Sequence, residues 1–213
     1  NENGDVACDH YHRYREDVKL IRDLALRGYR FSVSWPRIFP EGRGAVNRKG
    51  LEFYDALVSL LLAGGIEPVV TLYHWDLPQA LQDTGGWENV ETTDAFSEYA
   101  GFMFHHFRGR VKKWITFNEP YCSSYLGHAL GVHAPGIKKF RSAVQVSHNL
   151  NLAHAKSVRA FRKENAEGAK IGITLNLTPV HPYSEDYAET ARLADGVTNR
   201  WFMDPVLKGS YPQ

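Results

Sequence analysis

Two short segments combine side chains that can handle protons and hydroxyl groups. In Thr116-Phe117-Asn118-Glu119-Pro120 an apolar run ends in an amide, a carboxyl and a proline. A carboxyl group can donate a proton and later take one back, as general acid and then general base. The amide beside it can donate to and accept from a hydroxyl. His74-Trp75-Asp76-Leu77-Pro78 ends the preceding apolar run in the same way. A neutral imidazole hydrogen-bonds hydroxyls, and an indole offers a broad apolar face. Pyranose rings present both kinds of surface. A strand-end glutamate alone is also what a solvated loop carries, and a lone histidine is also what a core satisfies. The repetition at two successive strand ends is what points to a site.

Such groups need a scaffold, and the hydrophobic periodicity supplies one. A first helix is expected from about Tyr11 to Leu26, capped by Asp9 and ended by Gly28. Tyr29–Trp35 reads as a strand. A second helix follows Asn47, with Leu51, Tyr54, Val58 and Leu61 on one face, and stops at Gly64-Gly65. Pro68–His74 is the next strand, with Val70, Leu72 and His74 on its inner face. A third helix starts near Thr92 or Thr93 and carries Phe96, Tyr99, Met103 and Phe107. Val111–Phe117 is a strand. Ser142 and Gln145 have capping-box spacing for a fourth helix running towards Asn165. Lys170–Leu175 is the last strand, and a final helix spans Ser184 to about Phe202.

Alternating helices and near-continuous apolar strands imply an α/β fold with a parallel sheet buried on both faces. A doubly wound sheet should carry a glycine-rich phosphate turn after its first strand. Here that turn is Pro36-Arg37-Ile38-Phe39-Pro40. A (β/α)8 barrel instead gathers polar residues at the C-terminal ends of its strands. Ser34, His74, Asn118 with Glu119, and Asn176 occupy such positions. The expectation is therefore a TIM barrel, with residues 1–213 forming one partial barrel domain.

The formal net charge of +1 gives no reason to expect a nucleic acid or an acidic membrane as partner. No apolar run reaches the roughly 18 residues of a membrane span. Two distant cysteines, Cys8 and Cys122, fit a reducing compartment, so a cytoplasmic location is expected. The 27 aromatic residues (5 Trp, 11 Tyr, 11 Phe) are read mainly as core. Asp9, His10 and His12 could be drawn as metal ligands, but no metal and no cofactor is expected. His105-His106 is read as interacting with a helix C-terminus.

Four segments together resemble glycoside hydrolase family 1. They are Tyr29-Arg30-Phe31-Ser32-Val33-Ser34-Trp35-Pro36-Arg37, the His74 and Asn118-Glu119 motifs, and His133-Ala134-Pro135-Gly136. Asp9-His10-Tyr11-His12-Arg13-Tyr14 fits the same pattern, and the likeness covers essentially the whole chain. The resemblance implies a retaining β-glycosidase acting on β-linked glucosides or oligosaccharides. Glu119 would be the general acid/base and Asn118 the partner of the sugar 2-hydroxyl. His74 and Trp75 would contact the same sugar. Arg30 would support the nucleophile. Tyr121, His133 and Asn176 would face the leaving group. Asn176-Leu177-Thr178 is also a glycosylation sequon in form, which its strand-end position opposes.

Retention requires a second carboxyl, about 5–5.5 Å from the first, one protonated and one ionised. The family's nucleophile motif, Thr-Glu-Asn-Gly on a later strand, does not occur in these residues. Asn1-Glu2-Asn3-Gly4 resembles it superficially, with no apolar strand before it. The chain is thus expected to span the family's second to fifth strands, truncated at both ends. It would need the missing half of the barrel or self-associate. Two alternatives stay open: a non-catalytic half-barrel, and a sugar-binding module without turnover.

Overall fold

The computed structural model describes residues 6–164 and 167–213; the Asn1–Gly4 segment and the expected helix end at Asn165 lie outside them. Among the described residues there are four strands: β1 (Gly28–Ser32), β2 (Glu67–Tyr73), β3 (Lys113–Asn118) and β4 (Lys170–Thr174). All three pairings are parallel and the sheet order is β1-β2-β3-β4. Sequential order without reversal is the order of a singly wound barrel. A doubly wound sheet reverses its order at a switch point. The sheet is the four-stranded half of a barrel, with β1 and β4 as its edges.

The helices are α1 (His10–Asp23), α2 (Trp35–Ile38), α3 (Arg48–Ala63), α4 (Gln79–Asp83), α5 (Glu91–His106), α6 (Phe140–Glu164), α7 (Ala188–Asp195) and α8 (Trp201–Leu207). Several expected ends move. Asp9 does not cap α1: its φ is 52°, and its carboxylate pairs with the His12 ring at 2.6 Å. α1 stops early because Ala25 turns left-handed, φ 56°, and Leu26 N–H returns to Ile21 O. Asn47 stands at the start of α3, but its side-chain amide donates to Arg37 O instead of capping. Ser142 and Gln145 form no capping box. Lys139 N–H is held by His128 O, so α6 begins at Phe140 and Ser142 already lies inside it. Trp35 opens α2 instead of ending β1, with its indole N–H on Gly42 O. The last expected helix is broken by a π-helical segment, Gly196–Arg200. There the Asn199 amide bonds both N–H and C=O of Thr178.

Register identifies the two faces of the sheet, because paired residues of parallel strands share a face. Phe31 pairs with Val70 and Val70 with Trp114. Phe31 stacks on Tyr54 of α3, and Trp114 packs edge-on against Phe104 of α5. That row faces the helices. Val70 and Leu72, 1% and 0% exposed, are therefore core residues and do not line the inner face. The expected phase of β2 was wrong because both faces of the strand are apolar or buried, so polarity does not mark which side is which.

Most aromatics are core. Trp35 stacks on Tyr99 at 5.4 Å, and Phe96 on Phe117 at 4.4 Å. Trp87 packs against Trp35, Phe96 and Phe117. Each such pair contributes roughly 0.5–1.5 kcal/mol beyond its buried area. The cluster fastens α5 and the loop before it to the C-terminal ends of β2 and β3.

Candidate active site

The end of β3 departs from regular pleating. Between the pairs Ile115–Gly172 and Asn118–Thr174, β3 advances three residues while β4 advances two. The extra residue is accommodated at Thr116-Phe117, and both turn towards the helices. Thr116 Oγ1 lies 2.8 Å from His154 Nδ1 of α6, and the Phe117 ring lies on Phe96 of α5. Strict alternation from Trp114 would send Asn118 to that same side. The shift returns it to the inner face, where Oδ1 accepts from Arg30 Nη2 at 2.6 Å. Bulges that re-aim a side chain are common beside active sites.

Arg30 is held from two sides. Its Nε donates to Thr71 Oγ1 at 3.0 Å and its Nη2 to Asn118. Among the described residues Nη1 has no hydrogen-bond partner.

Glu119 follows with φ 46°, a left-handed conformation that a non-glycine residue adopts at a cost of about 1–2 kcal/mol. Its surroundings enforce it. Its N–H donates to Thr174 O of β4 at 2.8 Å, and its C=O accepts from Cys122 N–H at 2.9 Å. The carboxylate Oε2 also accepts from the Cys122 thiol, with Sγ at 3.4 Å. Pro120 opens a helical turn that widens into a π-helical segment, Cys122–Ala129. Burial first, then Glu119, pushes the Cys122 thiol up to about 11, so it is a protonated donor at neutral pH.

His74 and Trp75 sit just beyond β2. Trp75 has φ 81°, and its Nε1 donates to Asn118 O at 2.9 Å. The His74 and Trp75 rings are 5.0 Å apart, and Trp75 meets His133 at 5.2 Å. Partial burial, then the Arg30 guanidinium, holds His74 below the ordinary imidazole value and keeps it neutral near pH 7. Burial likewise pushes the Asp76 carboxyl up. His133 is carried by a loop folded back on the π-helical segment: its N–H reaches Leu126 O, and Ile137 N–H reaches Gly127 O. Gly127 permits this approach, since a Cβ there would stand 2.7 Å from Ala134 O.

Arg30, His74, Trp75, Asn118, Glu119 and His133 thus form one connected group. Two expected residues are set apart. Tyr121 stacks on Tyr125 at 5.0 Å and packs with Phe202 in a satellite cluster. Asn176 lies half-buried beyond β4, with no side-chain hydrogen bond to the group among the described residues. A cavity of about 740 Å³ adjoins Trp75 and His133, walled also by Trp87, Cys122 and His128. Glu119 is not among the residues that line it. Thr71 and Cys122 were missed in the sequence. Cys122 had a signal: it stands three residues after Glu119 across a proline-opened turn, the spacing at which a helix start brings two side chains together. Among the described residues no three metal-ligating side chains converge, and no helix is long and apolar enough to cross a membrane.

The family model Glycosyl hydrolase family 1 matches residues 1–213. The chain belongs to glycosyl hydrolase family 1. It is 56% identical over 212 residues to a protein named Beta-glucosidase A from Acetivibrio thermocellus, covering 99% of this chain and 47% of that one. It superimposes with a TM-score of 0.94 on a family 1 β-glucosidase from Thermotoga maritima, at 47% identity, covering 100% of this chain and 48% of that one. A β-glucosidase from Thermotoga maritima in complex with deoxynojirimycin matches at a TM-score of 0.95 and 47% identity, with the same coverage. The family 1 chain thus spans about half the length of the curated relatives it matches.

Proposed function

We propose that these residues form the acid/base half of a retaining β-glucosidase, one partial barrel domain whose partner segment carries the nucleophile. The observation that carries the reading is Asn118-Glu119 at the end of β3, with Asn118 turned to the inner face by a register shift and held there by Arg30. The names of the relatives support β-linked glucosides as substrates, and a sugar-like inhibitor in a solved relative supports the same class.

In the first step Glu119 gives its proton to the glycosidic oxygen. The C1–O bond breaks and its electron pair leaves with that oxygen, while the partner carboxylate bonds C1. In the second step Glu119, now ionised, takes a proton from water, whose oxygen displaces the carboxylate from C1. Asn118 would hold the 2-hydroxyl, and His74 and Trp75 the ring. Arg30 Nη1 would meet the nucleophile. Tyr121, His133 and Asn176 are proposed for the leaving-group side.

The test is Glu119→Gln in a full-length protein containing both carboxyls. Hydrolysis of alkyl glucosides, which need protonation, should collapse. Bond cleavage in activated aryl glucosides should survive far better, with azide restoring turnover. Equal loss on both substrates, without azide rescue, removes Glu119 from the role. Sugar binding without turnover in the full-length wild type would leave only a binding module. Turnover by the 213-residue chain alone would show that no second segment is needed.

A further inference from the structure

Glu119 carries two carboxyl oxygens, and only one can present the proton to a leaving group. Among the described residues the carboxyl has one hydrogen-bond partner, the Cys122 thiol on Oε2. Cys122 is itself fixed: it is 6% exposed, and its N–H is bonded to Glu119 O. Backbone and side chain of Cys122 therefore grip Glu119 at two points, across a residue already held in a left-handed conformation.

We infer that Cys122 is a positioning residue for Glu119, its thiol assigning Oε2 as the acceptor oxygen and leaving Oε1 to carry and deliver the proton. This rests on the acid/base reading of Glu119. A carboxylic acid has one hydroxyl oxygen and one carbonyl oxygen. A donor placed at Oε2 favours the carbonyl form there and so directs the proton to Oε1. The thiol suits this task because it stays protonated at neutral pH and is a weak donor. It orients the carboxyl without binding it so strongly that proton transfer is penalised. Once Glu119 is ionised, the same donor holds Oε2 while Oε1 receives the proton of the attacking water.

The experiment compares Cys122→Val, Cys122→Ser and Cys122→Ala in a full-length protein containing both carboxyls, with Glu119→Gln as control. Valine fills the site with apolar atoms and removes the donor, while alanine removes the donor without adding bulk. Its kcat/KM on alkyl glucosides should fall about 3- to 10-fold, the size of one weak hydrogen bond. On activated aryl glucosides, where bond cleavage needs little acid help, the loss should stay below about twofold. Serine keeps a donor and should recover most of the loss, while alanine should behave as valine does. Thermal unfolding of each variant identifies any that fails to fold. Equal losses on both substrates, or serine no better than valine, overturn the inference. If Glu119→Gln itself shows no leaving-group dependence, the acid/base reading falls first. If that control behaves as expected and Cys122→Val shows no split, only the positioning role falls.

Discussion

Arg30 Nη2 donates to Asn118 Oδ1 at 2.6 Å, across 88 residues of sequence and two intervening strand pairings. The contact joins the first edge strand to the third strand along the inner face of the sheet. A guanidinium donor makes it a charge-assisted bond, stronger and more directional than a neutral pair.

Removing the guanidinium should free the Asn118 amide. Arg30→Met in a full-length protein should lower kcat/KM on a β-glucoside by about 10- to 100-fold, the scale of one hydrogen bond to a charged group. Arg30→Lys keeps the charge but not the fork geometry, and should recover only part of the loss. Steady-state kinetics on both variants checks this. A change below twofold in both would show that Asn118 is oriented without Arg30.

His74 stands beside Trp75 at the end of β2, with its ring neutral near pH 7. A neutral imidazole can bond a sugar hydroxyl. His74→Ala should weaken transition-state binding by about 1–3 kcal/mol, the cost of leaving a buried polar group unpaired. The loss should appear in kcat/KM for alkyl and activated substrates alike, because ring binding does not depend on the leaving group. An unchanged kcat/KM would remove His74 from the site.

His154 is buried behind β3 on Thr116, and burial pushes its imidazole from 6.5 down to about 4. It is neutral in the fold and charges readily when unfolded. Its contribution to stability is therefore complete above about pH 6.5 and is lost as pH falls towards 4. The loss amounts to about 3 kcal/mol across that window. Urea unfolding at a series of pH values should show this slope in wild type and a shallower one in His154→Asn. Identical slopes would place the acid sensitivity elsewhere. The same hydroxyl–imidazole contact helps turn Thr116 outward, so Thr116→Val should lower stability by about 1 kcal/mol.

β1 and β4 are the edges of the sheet, and each pairs on one side only. Unpaired strand edges are templates for association. The 213-residue chain alone should therefore associate with concentration, or should need its complementary segment. Light scattering and hydrogen exchange in Gly28–Ser32 and Lys170–Thr174 test this. A monodisperse monomer with strong protection in both strands would show a self-sufficient half-barrel.

The residue types of the candidate site and the architecture under it are local features, and the sequence by itself determined them. Four apolar runs alternate with amphipathic helices, no phosphate turn follows Tyr29–Trp35, and polar groups stand where the runs end. Those features decide a parallel barrel-type sheet and mark Asn118, Glu119, His74 and Trp75. Tertiary structure decided which way these groups point. A period of two predicts direction only while the pleat is uniform and the faces differ in polarity. In β2 the faces do not differ enough, so alternation alone puts Val70 and Leu72 on the inner face while the fold buries them in the core. In β3 one extra residue against β4 resets the alternation, and only pairing with β4 shows it. The remaining contacts close over long loops or through a strained turn: Arg30 to Asn118, Trp75 Nε1 to Asn118 O, and the Cys122 thiol to Glu119 Oε2. Each depends on where the register shift and the left-handed Glu119 leave the backbone, which no local preference of Asn or Glu specifies.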